Sequence, residues 1–190
     1  MQFSFKSYNK MLSLLPITTA ETALYHYMEE LLVSSFPSDE YRNLEELRIY
    51  TDRQPNFHNN AILNDGSPIG LLTYWDFDGF HYIEHFAIHP SQRNGGFGKR
   101  VLKYLCSLLQ APIVLEVEMP DNEMARRRIG FYQRQGFTLW AKDYLQPPYK
   151  SGDSWLPMYL MAHGSLKCEK DFARVRKEIY REVYRAVIEK

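Results

Sequence analysis

The sequence is poor in cysteine, in net charge and in long apolar runs, and each shortage excludes something. There are two cysteines in 190 residues, Cys106 and Cys168, and neither stands in a CxxC pair. That excludes a thiol framework and suits a reducing compartment. Lys plus Arg total 23 and Asp plus Glu total 23, so the formal net charge is zero. A dedicated nucleic-acid binder would carry a basic excess. No stretch approaches the roughly 20 apolar residues that span a bilayer. The longest near the start, Met11–Ile17, is interrupted by Ser13 and Pro16, and it lacks the charged flank and cleavage site of a signal peptide. The expectation is a soluble, cytoplasmic protein with no nucleic-acid and no membrane partner.

What is present is ordinary for a globular chain: 45% apolar and 24% charged residues. A chain of this length makes one domain and buries about 70% of its unfolded surface. Aromatics are plentiful at 15%, with 14 tyrosines. They fit an aromatic core, or a pocket lined by rings with polar tips.

Hydrophobic periodicity and turn residues predict the order β-α-α-β-β-β-α-β-α-β-β-α. Met11–Ile17 reads as a strand. Thr18 and Glu21 read as a capping box opening a helix with Leu24, Met28, Leu31 and Leu32 on one face, ended by Phe36-Pro37. Ser38 reads as the cap of a second helix. Strands follow at Asn56–Leu63, Ile69–Phe77 and Phe80–His89, joined by Asn64-Asp65-Gly66 and Asp78-Gly79 turns. A helix with Phe97, Val101, Leu105 and Leu108 inward precedes a strand at Pro112–Met119. A helix from about Glu123 to Gln135 stops at Gly136. Strands at Phe137–Tyr144 and Trp155–Ala162 flank a Pro- and Gly-bearing loop, and Glu169–Lys190 is a charged amphipathic helix. The central strand–helix–strand crossover implies a parallel pair, and the hairpins imply antiparallel ones. The fold class is α/β: a mixed, mostly antiparallel twisted sheet flanked by helices.

Arg93-Asn94-Gly95-Gly96-Phe97-Gly98-Lys99 lies between a strand and a helix. Glycines there let backbone N–H groups approach a ligand, and the helix N-terminus favours an anion. A Walker A loop fails, because Arg100 follows Gly98-Lys99 and Arg93 stands where the leading glycine belongs. A dinucleotide GxGxxG fails at Val101. The pattern R/Q-x-x-G-x-G is met by Arg93, Gly96 and Gly98. Together with Tyr82–Pro90 before it and Phe131-Tyr132-Gln133-Arg134-Gln135-Gly136-Phe137 after it, the segment resembles the acyl-CoA loop of the GNAT N-acetyltransferases. The resemblance runs over most of Met11–Ala162.

That resemblance implies a central parallel pair that splays. It implies an acetyltransferase domain over residues 1–165 and a helical extension over 166–190 packed on it. Acetyl-CoA would be the co-substrate, with no metal. The backbones of Phe86, Ala87 and Ile88 would hold pantetheine, with an N–H near Ile88 on the acetyl oxygen. Arg93 and the N–H groups of Asn94, Gly95, Gly96, Phe97, Gly98 and Lys99 would hold pyrophosphate. A primary amine of a small molecule or peptide would attack directly, and Tyr132 would protonate the thiolate. Many members carry Asn seven and Ala four residues before that Tyr. Here Ala125 and Arg128 stand there, so Asn122 is the substitute cofactor contact and Arg128 the ligand-side arginine. The base is Glu84, Glu118 or a water chain. Glu116 and Glu118 share a face of an apolar strand and must face water, a pocket or a cation. His81, His85 and His89 would share a strand face but stand about 13 Å apart, too far for one metal. Loop 143–155, with Tyr144, Tyr149 and Trp155, borders the acceptor site or is an ordered edge. The chain is a monomer or homodimer. A non-catalytic acyl-CoA-binding regulatory domain is the alternative function.

Overall fold

The computed structural model describes residues 11–186; the ends of the sequence-predicted C-terminal helix, residues 187–190, lie outside them. Seven strands form one sheet: β1 (Leu12–Pro16), β2 (Phe57–Asn64), β3 (Ser67–Phe77), β4 (Phe80–Ile88), β5 (Ile113–Glu118), β6 (Thr138–Gln146) and β7 (Leu156–His163). Their spatial order is β1-β2-β3-β4-β5-β7-β6. Every pair is antiparallel except β4–β5, which is parallel. Five helices cover the sheet: α1 (Thr22–Ser35), α2 (Leu44–Arg53), α3 (Phe97–Leu108), α4 (Glu123–Gln133) and α5 (Cys168–Glu182). No helix of the described residues is long and apolar enough to cross a membrane.

The sheet separates two cores. On one face α1, α2 and α5 pack on Leu71, Trp75, Phe80, Tyr82, Val114 and Leu160. On the other, α3 and α4 pack on Leu72, Ile83, Ile113, Leu115 and Val117. Strand β5 shows residues to both cores because both its faces are covered. The final helix lays Phe172, Val175 and Ile179 on the first core, where Tyr144 meets Phe172 edge-on.

Helix starts differ from the sequence expectations. Glu21, not Thr18, precedes α1; half of the capping box remains, since Thr18 N–H donates to the Glu21 carboxylate at 3.2 Å, while Thr19 turns away to Asp52. Ser38 opens only a 3-10 turn to Glu40. The next helix waits for Asn43, whose side chain accepts from Glu45 N–H. Leu108 is exposed, and Leu109 turns inward at the helix end. Helix α5 ends at Glu182, short of the expected extent, and Val183 stays buried.

One irregularity governs the rest. Thr73 pairs with His85, but Tyr74 pairs with Ile83, so Glu84 is an extra residue in β4. A bulge reverses side-chain parity and bends its strand. Glu84 therefore points with Tyr82 to the α1/α2 face, and His85 and Ala87 join them, while Phe86 and Ile88 face the other core. The expected sharing of a face by Glu84, Phe86 and Ile88 is corrected by this bulge. So is the single face for His81, His85 and His89: His85 bonds the Glu40 carbonyl on one side, and His81 stands by Asp76 on the other.

Candidate active site

Parallel pairing of β4 with β5 covers only His81–Ile83 against Ile113–Leu115. It stops at the residue before the bulge. Beyond it, β4 stays paired to β3 as far as Ile88, and β5 stays paired to β7 as far as Glu118. The two strands part, leaving a cleft of about 340 Å³ between them. The amides of His85 and His89 donate toward β3, to Thr73 Oγ1 and the Ile69 carbonyl. Strand alternation then turns the amides of Phe86 and Ile88 to the cleft.

The glycine loop continues from the open end of β4. Arg93 Nε donates to the Ile88 carbonyl at 3.0 Å, pinning loop to strand. Asn94 and Gly96 have φ of +66° and +72°. Gly96 stands at the N-cap of α3, and nothing lies within 4 Å of where its Cβ would be. The segment from Asn94 to Lys99 thus leads into the first turn of a helix, whose leading amides have no partner within the helix. At Gly98 a Cβ would stand 3.3 Å from the Phe131 ring, so this glycine lets α3 close on α4.

Helix α4 supplies the opposite wall. Tyr132 packs edge-on against Phe131 and Phe137 and lines the cleft. Among the described residues nothing hydrogen-bonds its hydroxyl. Burial pushes its pKa up to about 12, against the pull of Arg128. Arg128 also lines the cleft and pairs with Glu118 at 2.7 Å. Arg126 turns away to the Pro120 carbonyl. Asn122 caps α4 through Ala125 N–H at 2.8 Å, so its side-chain oxygen is committed to the helix.

The floor of the cleft is a chamber of acids and tyrosines on the α1/α2 face. The Glu84 side chain is 0% exposed and pairs with Arg42 at 2.5 Å; it also accepts from Trp75 Nε1 at 2.8 Å. The Arg42 guanidinium lies over the Tyr50 ring. Burial raises the Glu84 pKa, but Arg42 outweighs it and holds the carboxyl below the usual range. Glu84, the expected base, is thus the fixed anion of a buried pair.

Among the described residues no cation pairs with Glu116. Tyr144 donates to one carboxylate oxygen and Tyr184 to the other at 2.7 Å. Burial pushes its pKa up to about 7, against these hydroxyls. Glu116 lines the cleft with Tyr149, Gln146 and Met158, facing Phe36 and Glu40 from the end of α1 and the turn after it. Ser35 Oγ also lines this wall, buried without a partner. Of the loop aromatics, Tyr149 borders the cleft, Tyr144 reaches Glu116, and Trp155 lies outside against Tyr180. Sequence reasoning had no signal for Arg42 or Tyr184. The signal for Glu116 was its place beside Glu118 on an apolar strand. Among the described residues no group of three His, Cys, Asp or Glu side chains could hold a metal ion.

The acetyltransferase (GNAT) family profile matches residues 22–137. No curated protein matches. Among solved structures, a protein of Bacteroides thetaiotaomicron assigned to the GNAT acetyltransferase family is 62% identical, with a TM-score of 0.89 over 90% of this chain and 98% of that one. The ribosomal-protein-S18-alanine N-acetyltransferase of Escherichia coli is 17% identical, with a TM-score of 0.57 over 84% and 98% of the two chains. A spermidine N-acetyltransferase chimera from Vibrio cholerae is 16% identical, with a TM-score of 0.55 over 80% and 94%. The last two share the fold.

Proposed function

The chain belongs to the GNAT acetyltransferase family, and from that premise we propose that it moves an acetyl group from acetyl-CoA to a primary amine of a small molecule or peptide. One observation carries this reading. The β4 residues Phe86 and Ile88, Arg93 at the start of the glycine loop, Tyr132 and the carboxylate Glu116 all line one cleft.

The residues divide the work by chemistry. The amides of Phe86 and Ile88 bind the pantetheine arm, and the one at Ile88 faces the oxygen that gains charge as the thioester carbonyl is attacked. The carbonyl of Ala87 turns the other way, toward Gly70 on β3, so Ala87 adds no backbone group to that edge. The loop from Arg93 to Lys99 takes the pyrophosphate. Arg128 fixes the α4 side, and Asn122 serves by holding that helix in place.

An acceptor arrives as an ammonium ion and must lose a proton before its nitrogen can attack. Glu116 is suited to take it: a carboxyl poised near neutral pH is ionised often enough to accept and basic enough to pull. Glu84 is unsuited, because its charge is spent on Arg42. Two carboxylates pushed apart by their surroundings, one by a cation and one by burial, is the pattern of divided roles. The nitrogen then forms the C–N bond and the C–S bond breaks. Tyr132, neutral at pH 7, gives its proton to the sulfur and recovers one from the nitrogen. The second nitrogen proton leaves through Glu116 to water, so the balance is acetyl-thioester plus ammonium to amide, thiol and one proton.

A panel of amines with acetyl-CoA, followed by free-thiol release, tests the proposal. Turnover with at least one amine is the expected result. Tight acetyl-CoA binding with no thiol released from any amine would instead establish the non-catalytic regulatory domain.

A further inference from the structure

Helix α5 ends at Glu182, and the chain then turns inward. Val183 is buried. Arg185 adopts a φ of +52°, and its guanidinium lies 5.1 Å over the Tyr50 ring and 3.8 Å from Glu46, both on α2. This docking drives Tyr184 into the molecule. Its hydroxyl is 2.7 Å from Glu116, 3.3 Å from the Tyr82 hydroxyl and 3.4 Å from that of Tyr149. A tyrosine kept for packing would leave its hydroxyl at the surface; this one has its hydroxyl at the centre of the chamber.

We propose that Tyr184 is a positioning residue of the acceptor site, whose hydroxyl orients Glu116 and links that carboxylate to Tyr149 on the cleft wall. Tyrosine has one proton to give and two lone pairs to offer. The proton goes mainly to the carboxylate at 2.7 Å, with the Tyr149 hydroxyl a longer second acceptor at 3.4 Å. Tyr82 is left to donate to the Tyr184 oxygen, so hydroxyls link the cleft wall to Glu116. Chains of this kind polarise along their length. The family profile ends at residue 137, so the residue lies well outside the stretch that carries the family resemblance. The inference rests on the acetyl-transfer reading only through the role given to Glu116.

The groups facing Glu116 are few. Strand β4 brings Tyr82 and the Glu84–Arg42 pair, β6 brings Tyr144, the next loop brings Tyr149, and the C-terminal region brings Tyr180 and Tyr184. Arg42 neutralises Glu84, so hydroxyl donors are what oppose burial at Glu116. Removing one raises its proton affinity.

The test is Tyr184→Phe in the full chain, with the Glu116 carboxyl titrated by carbon-13 resonance and assigned through Glu116→Gln. Its midpoint should move up by about one pH unit, the scale of one charge-assisted hydrogen bond. The acid limb of kcat/KM should move with it. Tyr180→Phe should move neither, because the Tyr180 hydroxyl bonds the Leu145 carbonyl instead. An unmoved carboxyl in folded Tyr184→Phe overturns the proposal. A carboxyl that moves while the limb stays fixed also overturns it, by taking Glu116 out of the reaction. If Tyr184→Phe does not fold, Tyr82→Phe removes the donor to the Tyr184 oxygen, and no upward shift there is equally fatal. Failure of the acetyl-transfer reading shows separately, as a wild type that releases no thiol; the carboxyl titration then decides the hydroxyl link alone.

Discussion

The two sides of the cleft are built in opposite ways. The side proposed to take the cofactor is made of backbone: β4 amides, then a loop, then the first turn of α3, all within residues 84–99. The side proposed to take the acceptor is made of side chains from α1, the turns around α2, β5, the β6–β7 loop and the C-terminal tail. Backbone recognition writes itself into a short local pattern, because glycine and turn chemistry are needed at fixed offsets. Side-chain recognition needs no fixed spacing, because the fold alone brings the groups together.

The sharpest break of this contrast is Tyr132→Phe, which removes one hydroxyl that no group among the described residues engages. We expect turnover to fall by about 10²–10⁴, roughly 3–5 kcal/mol of transition-state stabilisation. Acetyl-CoA affinity and melting temperature should hardly change. Full activity in the folded variant would falsify the acid assignment.

Arg42→Met attacks the acceptor side and should read out as stability. It leaves the Glu84 carboxylate buried without its cation, which costs about 3–5 kcal/mol. A fall in melting temperature of about 10 °C is expected for a chain this size. A small shift would mean that Glu84 takes up a proton or reaches water.

Glu116→Gln gives the same region the opposite sign. The unfolded carboxyl ionises near pH 4.5, while the folded one waits until about 7. Between those values the folded state holds more protons, so wild-type stability falls as pH rises. The glutamine variant lacks that loss. Its stability advantage should grow across pH 4.5–7 to no more than about 3 kcal/mol, while turnover is lost. Parallel melting curves against pH would break the assignment.

The smallest effect belongs to Gly96→Val. Space is open there, but φ is +72°, and a β-branched residue so held costs about 1–3 kcal/mol. Acetyl-CoA affinity should drop at least about tenfold in calorimetry. An unchanged affinity would remove the loop from the binding site.

These contrasts explain how much could be read from the sequence. Strand order, the two Asp-Gly turns and the loop were legible, since each depends on residues a few positions apart. The orientation of Glu84 was not. Strand periodicity assumes unbroken alternation, and the bulge opposite Thr73 and Tyr74 interrupts it. Nothing in the text around residue 84 marks that extra residue. Arg42 and Tyr184 were hidden for another reason: their partners lie 42 and 68 positions away. Glu116 was half legible, as a carboxylate with no business on an apolar strand.

The parting of β4 from β5 also makes an edge inside a sheet. Edge strands elsewhere are shielded, because unpaired amides and carbonyls accept a foreign strand. Here the shield is the proposed ligand itself, and at a hundred times its Kd it would add about 2.7 kcal/mol to the folded state. On the proposed reading, resistance to misassembly is tied to acyl-CoA supply, and a starved cell would hold a population with its central seam open.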